Sequence, residues 1–319
     1  MEKFKPNFSI GFNGKISDLK QMIDTKANIE SVYSGGLRNT IAGGRPQYAQ
    51  DLDELSECIS IAHKNNMHYE IALNAPCGLH DKSDTKWWGE IEDYLKRLES
   101  IGVDRIIASH PFILSLVKKK TNMQVVVSTI CEVTEPRMAK YYEEMGADVI
   151  IPSMNSNYHL DKLLDMKNTL TSAKLRIMLN EHCLGDCPWR KFHHSHYAHS
   201  YTEYDYHSNC KRKFLEKPYL CITNNAIRPE DMRYYKEITD NFKIVGRLVS
   251  IPCLVERIKA YDTQSYDGNF VYLQDEQLSK YINIPNKSME EIFKMKSNCK
   301  FNCNECRVCE KLYEKVSIK

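Results

Sequence analysis

Residues 124–153 read QVVVSTICEVTEPRMAKYYEEMGADVIIPS and contain one strand–helix–strand unit. The apolar runs at 124–129 and 148–153 lack strict polar alternation, which is typical of strands buried on both faces of a parallel sheet. Between these runs, residues 135–145 repeat apolar side chains at three- and four-residue spacing, as an amphipathic helix does. The stretch therefore predicts parallel β/α order.

The same alternation extends along most of the chain. Other clear helical patterns lie at residues 51–65, 88–101 and 229–239. Strands are predicted at residues 7–12, 29–34, 68–74, 105–110, 124–129, 148–153, 175–180 and 242–247. Eight such strands predict an α/β fold of the TIM-like (β/α)8 barrel type within residues 1–288. An open doubly wound sheet is the alternative, because alternation alone does not show closure.

The composition is that of a folded protein without an extreme charge. Of the 319 residues, 42% are hydrophobic and 27% are charged, which is ordinary for a globular chain. The net charge of +2 excludes a global electrostatic surface for nucleic acid or membrane. The chain opens MEKFKPNFSIGFNG and contains neither a signal-peptide core nor a stretch that would span a bilayer. We therefore expect a cytoplasmic protein with reduced thiols and no membrane partner.

Two groups of four cysteines distinguish this chain. In a reducing compartment, clustered cysteines bind metal more often than they form disulfides. The terminal group lies in a Cys-rich tail at residues 289–319 and consists of Cys299, Cys303, Cys306 and Cys309. The central group lies at residues 181–228, where the β/α alternation is interrupted before the last strand, and consists of Cys183, Cys187, Cys210 and Cys221.

The long excursion at residues 181–228 also carries six of the eleven histidines, namely His182, His193, His194, His196, His199 and His207. Unstructured loops of this length in compact domains are usually functional. In a barrel, a loop that follows a strand lies on the carboxyl-terminal face, where active sites are built. We expect the other strand ends to converge there, bringing together Arg45, Asn74, His110, Thr129, Asn155 and Arg247.

Four stretches of the sequence resemble the peptidase U32 family. They are GADVIIPSMNSN at 146–157, LRIMLNEHCLGDC at 175–187, YLCITNNAIRPEDMRYYKEI at 219–238 and FKIVGR at 242–247. The resemblance covers roughly residues 5–262. It implies a TIM-barrel fold and chemistry that includes oxygen-independent hydroxylation of RNA bases or of a quinone precursor ring, despite the peptidase name.

The resemblance also implies roles for particular residues. Cys183, Cys187, Cys210 and Cys221 occupy the positions that hold a [4Fe-4S] cluster in several members, and Arg247 occupies the basic position that ends the last strand. Two features depart from the family pattern: the first two cysteines are closer together here, and Arg176 lies near the place of a usual glutamate. The chain therefore resembles a divergent member.

Ligand chemistry alone leaves two kinds of metal site open. Thiolates are soft ligands that suit zinc or iron–sulfur centres, and four of them complete a cubane cluster. At the central group, zinc held by two cysteines with His193 or His196 is the alternative. The terminal spacing C-x3-C-x2-C-x2-C inverts the ferredoxin pattern and predicts a second iron–sulfur cluster, with a zinc site as the alternative. The first three of these cysteines also match the radical SAM spacing, but they lie beyond the last strand.

Substrate chemistry is predicted at the barrel mouth. Arg45 and Arg247 are candidates to clamp a carboxylate through their planar guanidinium groups, with a structural ion pair as the alternative. His110 is a candidate proton shuttle, with a structural hydrogen-bonding role as the alternative. Cys77 and Cys131 follow strands and are candidate nucleophiles.

Together these features predict an iron–sulfur enzyme that hydroxylates or otherwise modifies an RNA, peptide or small-molecule acceptor by redox chemistry. A small anionic organic co-substrate and an electron donor or paired subunit are the expected partners. One alternative is a peptidase that depends on zinc or on a cysteine nucleophile. Another is a non-catalytic iron–sulfur electron carrier or scaffold.

Overall fold

The strands of the protein form one parallel sheet that closes into a barrel. The computed structural model describes residues 4–37, 43, 50–76, 85–199 and 206–317. The strands in this part of the chain are β1 Asn7–Gly11, β2 Ile29–Ser34, β3 His68–Leu73, β4 Arg105–Ala108, β5 Gln124–Val127, β6 Val149–Ile150, β7 Lys174–Leu175, β8 Ile177–Met178 and β9 Asn241–Ile244. Their order in the sheet is β7-β6-β5-β4-β3-β2-β1-β9-β8.

Closure depends on the strand predicted at 175–180, which divides at Arg176 into β7 and β8. The first piece pairs with β6 and the second pairs with β9. Across the break, the Arg176 amide donates to the Ile150 carbonyl at 2.9 Å, and the Leu179 amide donates to the Lys243 carbonyl at 2.9 Å. One chain segment thus joins both edges of the sheet, which confirms the TIM-like barrel rather than the open sheet.

Helices surround the barrel and continue into the excursion and the tail. They are α1 Ile16–Asp24, α2 Leu52–Lys64, α3 Thr85–Ser100, α4 Pro111–Lys120, α5 Pro136–Glu144, α6 Leu160–Thr169, α7 Arg190–His199, α8 Tyr206–Glu216, α9 Leu220–Thr223, α10 Ile251–Thr263, α11 Phe270–Gln274, α12 Ile292–Ser297, α13 Cys303–Cys306 and α14 Val308–Ser317. None of the helices in the described ranges is both long and apolar enough to cross a bilayer.

Local sequence signals explain several helix starts. Asp51 accepts from the Glu54 amide at 2.8 Å, and Glu54 accepts from the Asp51 amide at 3.2 Å, which is a complete capping box for α2.

The helix predicted at 229–239 is instead a shorter 3-10 helix, Pro229–Tyr235. This segment buries Met232 and Tyr235 against the barrel, and such packing outweighs helix propensity.

The apolar interior has three parts. The largest packs the outer faces of the strands against the surrounding helices. A second lies inside the barrel and contains Tyr33, Ala72, Ile107, Val126, Val149, Ile151, Met154 and Met178. The third joins the excursion to the tail through buried side chains such as Phe214, Ile222, Phe270 and Val316. The excursion therefore carries helices α7, α8 and α9 instead of an unstructured loop, because its apolar side chains are buried against the third core.

Candidate functional site

The amino-terminal end of the barrel is closed by a buried network of ionic side chains, here called the floor network: Glu30, Glu70, Arg105 and Arg176. Arg176 donates through one nitrogen to both carboxylate oxygens of Glu70, at 2.8 and 2.9 Å, and through another to Glu30 at 3.0 Å. Arg105 also contacts both glutamates. Burial alone would raise the pKa of Glu70, but Arg176 and Arg105 lower it below its usual range. The floor network is therefore ionised and internally paired.

The carboxyl-terminal end is open and holds a cavity of about 300 Å³, here called the mouth cavity. Of the strand-end residues predicted to converge here, Asn74, Thr129 and Arg247 line the mouth cavity. Asn155 instead accepts from the Asn225 side chain at 2.9 Å. The mouth therefore lies on the face of the barrel where active sites are usually built.

Two basic side chains of the last strand and the loop after it meet in this cavity. Lys243 and Arg247 are four residues apart, so alternation along the chain directs both toward the barrel interior. The Lys243 Nζ lies 3.9 Å from the centre of the Tyr33 ring, and the Arg247 Cζ lies 5.7 Å from the same ring centre. The cavity thus presents two cations beside one aromatic ring, which is suited to a small organic anion.

Lys243 has an unusual environment for an amine. The residue is 7% exposed, and its Nζ makes neither a hydrogen bond nor an ion pair with any described residue. Burial lowers the pKa of Lys243 to about 7; the carboxylates of Glu70 and Glu181 oppose this effect, whereas Arg176 and Arg247 reinforce it. An amine with this pKa exists in both protonation states near neutral pH, which is a property of catalytic lysines.

Polar side chains form the opposite wall of the mouth cavity. Asn74 donates through Nδ2 to the Ser128 hydroxyl at 3.3 Å, and Thr129 donates to the Pro152 carbonyl at 3.0 Å. The Asn74 Oδ1 is buried and has no hydrogen-bond partner among the described residues. A buried amide oxygen without a donor is uncommon, so this atom is available to a ligand.

The excursion supplies the remaining wall. Arg190, at the start of α7, donates to Glu181 at 2.8 Å and to the Met154 Sδ at 3.0 Å. His182 lies 3.4 Å from Asp275, and both of these residues line the cavity. Residues of the excursion therefore lie directly against the substrate-sized space, as the loop position predicted.

The remaining candidates of the mouth have different surroundings. His110 lies at the N-cap of α4, where its Nδ1 accepts from the Phe112 amide at 3.1 Å, and it is not among the described residues that line the cavity. Cys131 donates to the Ser109 carbonyl at 3.3 Å, and burial raises its pKa to about 11. This thiol is protonated at neutral pH and is a poor nucleophile. Arg45 and Cys77 lie outside the described residues.

The central cysteines are distributed around the excursion. Cys183 packs beside the apolar cluster inside the barrel, whereas Cys210 and Cys221 belong to the third core; Cys187 is half-buried. Burial raises the pKa of Cys221 to about 12, and Asp275 adds to the effect. Within the described ranges, no three His, Cys, Asp or Glu side chains lie close enough to hold one metal ion. The described side chains therefore form neither the zinc arrangement with His193 or His196 nor a ready-made four-cysteine site, and the same holds for the terminal cysteines.

The terminal cysteines lie close to one another on the surface. Cys299, Cys303 and Cys306 are exposed and Cys309 is half-buried. Burial raises the pKa of Cys309, and the three other thiols act on it in the same direction. The Phe301 amide donates to the Cys299 sulfur at 3.4 Å, a contact that also occurs around metal-bound thiolates. The tail thus gathers four sulfur donors with one backbone donor.

The tail is connected to the barrel through Lys296. Its Nζ lies 3.9 Å from the centre of the Tyr158 ring and donates to the Asn224 carbonyl. Phe293 stacks on Tyr234, with ring centres 4.0 Å apart. Residues 292–297 therefore pack on the body of the protein, and the cysteines follow directly after this anchored segment.

The comparisons with known proteins agree with this architecture. Residues 14–298 match the sequence profile of Peptidase family U32. The chain belongs to the U32 family. A relative described as "Uncharacterized protease MJ1657", from Methanocaldococcus jannaschii, is 30% identical to this U32 protein, and the match covers 97% of this chain and 98% of the relative. The membership predicted from the four motif stretches is therefore confirmed.

A solved structure titled "The Structure of the U32 Peptidase Mk0906" is similar in fold. Its TM-score is 0.58 at 16% sequence identity, and the match covers 77% of this chain and 95% of that chain. At this identity, the likeness supports the barrel of the U32 protein and says nothing about its substrate.

Sequence reasoning missed Lys243 as a site residue. The signal was present, because Lys243 and Arg247 share one face of an alternating strand, so the inward direction predicted for Arg247 applies equally to Lys243. A lysine at an inward position of a buried strand is uncommon. In this U32 protein Lys243 lines the mouth cavity together with Arg247.

Proposed function

We propose that this protein is an iron–sulfur enzyme of the U32 family that binds a small organic anion in the mouth cavity and modifies an acceptor by redox chemistry, such as oxygen-independent hydroxylation. The observation that carries the proposal is the pair of basic side chains, Lys243 and Arg247, beside the Tyr33 ring. The acceptor would be an RNA, a peptide or a small molecule that enters beside the excursion.

The residues of the mouth suit the binding of an anion. The guanidinium of Arg247 can pair with a carboxylate through two hydrogen bonds, while the ring of Tyr33 provides an apolar face for the carbon skeleton. Lys243 supplies a second positive charge deeper in the barrel when it is protonated. Lys243 and Tyr33 are buried and Arg247 is half-buried, so their interactions are stronger than they would be on a fully exposed surface.

The donor chemistry of the central cysteines supports the cofactor. Cys183, Cys187, Cys210 and Cys221 are four thiols, and three of them pack against apolar side chains. Soft donors in apolar surroundings suit a [4Fe-4S] cluster, which would supply one-electron chemistry when bound. Cys183 packs against the apolar cluster inside the barrel, and three members of this cluster, Tyr33, Ala72 and Met178, also line the mouth cavity.

The terminal cysteines support a second metal centre, an iron–sulfur cluster or zinc. Their four sulfurs are near enough to influence one another's pKa, and they follow an anchored helix. Because Phe293, Lys296 and Val316 pack on the body of the protein, the informative change is Cys303→Ser together with Cys306→Ser, at two exposed residues, and not a deletion of the tail. We expect this double substitution to remove one centre and to leave the barrel folded with the other.

The first test is metal analysis after anaerobic purification. We expect brown protein that contains iron and sulfide and bleaches in air. Cys183→Ala or Cys221→Ala should abolish the absorbance of the central centre and any redox activity with it. Cys253→Ala is the matched control, because Cys253 is also a buried cysteine but belongs to neither group. Full iron content in the Cys183 and Cys221 variants would refute the assignment of these ligands.

A peptidase is the second candidate, and the observation that favours it is the word protease or peptidase in the names of the two relatives. A zinc or cysteine peptidase would be colourless, would tolerate air and would remain active without iron. Incubation of the iron-free protein with a peptide library, followed by mass spectrometry, distinguishes the two. Cleavage by the iron-free protein that persists in the Cys183→Ala variant would replace the redox proposal.

A further inference from the structure

We propose that Lys243 is a nucleophilic amine that condenses with the carbonyl group of a small 2-oxo acid whose carboxylate pairs with Arg247. The inference rests on the anion site proposed above and goes further, because it assigns a covalent step and a substrate class to that site. It does not depend on the metal centres.

The first argument is the contrast between Lys243 and the other buried cations. Arg176 and Arg105 contact the glutamates of the floor network, and Arg190 pairs with Glu181. Lys243 is almost as buried, yet its Nζ has no such partner among the described residues and faces the mouth cavity. Lys296 and Arg257 are also buried without a carboxylate, but they donate to backbone carbonyls. A buried cation that has neither a carboxylate nor a carbonyl partner is costly to the fold, which points to a use.

The second argument is that the two basic groups lie beside one ring and line one cavity. The Lys243 Nζ and the Arg247 Cζ lie 3.9 Å and 5.7 Å from the centre of the Tyr33 ring, and both residues line the mouth cavity, so a ligand in this cavity can contact both. A guanidinium is suited to a carboxylate, whereas an amine is suited to a carbonyl carbon. A 2-oxo acid carries both groups on adjacent carbons, and this makes it the ligand class that fits the pair.

The third argument is that the amine is available in its reactive form. Burial, reinforced by Arg176 and Arg247, holds the pKa of Lys243 at about 7. A substantial fraction of the side chain is therefore uncharged at neutral pH, whereas an exposed lysine is almost fully protonated. Lowering the pKa of a lysine by desolvation and a neighbouring cation is a known route to an imine-forming amine.

The reaction needs no oxidant or reductant. The lone pair of the amine attacks the carbonyl carbon, and the carbonyl oxygen takes up a proton to give a carbinolamine. Loss of that hydroxyl with a proton from nitrogen then releases one water and leaves a C=N bond. The Asn74 Oδ1, which has no donor within the described residues, is available to accept a hydrogen bond from the carbinolamine hydroxyl.

Reductive trapping tests the proposal. Full-length protein is incubated with pyruvate and sodium borohydride, which supplies the hydride that fixes an imine as a secondary amine. We expect a single adduct whose added mass is that of the oxo acid less one oxygen atom, and peptide mapping should locate it at Lys243. Lactate, which lacks the carbonyl, should give no adduct. Acetaldehyde, which lacks the carboxylate, should need at least about tenfold higher concentration.

Three variants make the test specific. Lys243→Arg should abolish the adduct, whereas Lys211→Arg should not, although Lys211 also lines the cavity. Arg247→Gln should raise the pyruvate concentration for half-maximal trapping about tenfold and leave the mapped position unchanged. In the wild-type protein, the trapping rate should rise as the pH passes through about 7, a measurement that does not depend on how the variants fold.

The outcomes separate this inference from the proposed function. Calorimetric binding of pyruvate with no trapped adduct would overturn the imine and leave the anion site standing. Adducts spread over surface lysines, or an undiminished adduct in Lys243→Arg, would overturn it as well. A Lys243 adduct in protein that contains no iron would support the imine while contradicting the redox proposal.

Discussion

Buried charged groups have ion-pair partners at one end of the barrel but not at the other. At the floor, two arginines and two glutamates contact one another at short distances. At the mouth, Lys243 is also buried, but its Nζ lies over an aromatic ring and makes no ion pair with a described carboxylate, although Glu181 lines the same cavity. One barrel thus contains a satisfied ionic network at its floor and a cation without an ion pair at its mouth.

This difference distinguishes charged groups that stabilise the fold from charged groups that can bind a ligand. Buried ion pairs that are fully hydrogen-bonded fix the geometry of a fold, and removal of one partner is strongly destabilising. A buried amine without a partner contributes nothing comparable to stability, although it can bind or attack a ligand. Substitutions at the floor should therefore change stability, while substitutions at the mouth should change binding.

The largest effect is expected for Glu70→Gln. This change leaves the Arg176 and Arg105 guanidinium groups with only Glu30 as a charged partner, and a broken buried pair costs about 3–5 kcal/mol. We expect the free energy of unfolding, measured by urea denaturation, to fall by about that amount. Lys96→Gln is the control, since it removes a surface pair with Glu92 and should cost less than about 1 kcal/mol.

The pH dependence of the unfolding free energies of wild type and Glu70→Gln provides a check. The pKa of Glu70 is lower in the folded state than the value of about 4.3 for an unfolded chain. Its ionised form therefore adds stability above about pH 4, and this contribution is lost as the pH falls through the folded pKa. The stability gap between wild type and Glu70→Gln should narrow in acid, and a constant gap would contradict the assigned ionisation.

The second largest effect is expected for Lys243→Met, which should raise the free energy of unfolding. Lys243→Met removes an unpaired buried charge, and replacing buried charge by an apolar side chain often stabilises by about 1–4 kcal/mol. The folded pKa of about 7 lies below the unfolded value of about 10.4. The destabilisation of the fold by Lys243 is therefore greatest below pH 7, and it disappears as the pH rises toward 10.

Denaturation at two pH values tests this prediction. We expect the Lys243→Met variant to be more stable than wild type at pH 6 and about equal to it near pH 10. A loss of stability at pH 6 would mean that Lys243 has a structural partner, and the contrast between floor and mouth would disappear.

Sequence patterns predicted the barrel but only part of its chemistry. Periodicity placed the strands because burial on both faces produces apolar runs, whereas the break at Arg176 was not visible, since it depends on pairing with both β6 and β9. The floor network joins residues up to 146 positions apart, and no local pattern reports such contacts. Lys243 could have been found from its spacing to Arg247, but its missing partner is a property of the fold.

A smaller effect is expected for Arg247→Lys. Lysine keeps the charge but cannot form two parallel hydrogen bonds to a carboxylate. We expect pyruvate binding, measured by calorimetry, to weaken about tenfold, which corresponds to about 1.4 kcal/mol, while the unfolding free energy stays within about 0.5 kcal/mol. Equal affinity in the lysine variant would favour the structural ion pair as the role of Arg247.

The smallest effect is expected for His110→Asn, which tests where the functional mouth ends. His110 caps α4 through its Nδ1, and asparagine is a preferred N-cap residue that can accept the same amide hydrogen bond. We expect both the unfolding free energy and the yield of trapped pyruvate to remain close to wild type, with His110→Ala losing about 0.5–2 kcal/mol of stability. A proton shuttle would behave differently, because asparagine cannot titrate near neutral pH. A marked drop in activity of a stable His110→Asn protein would therefore extend the functional site beyond the cavity and restore His110 as a catalytic candidate.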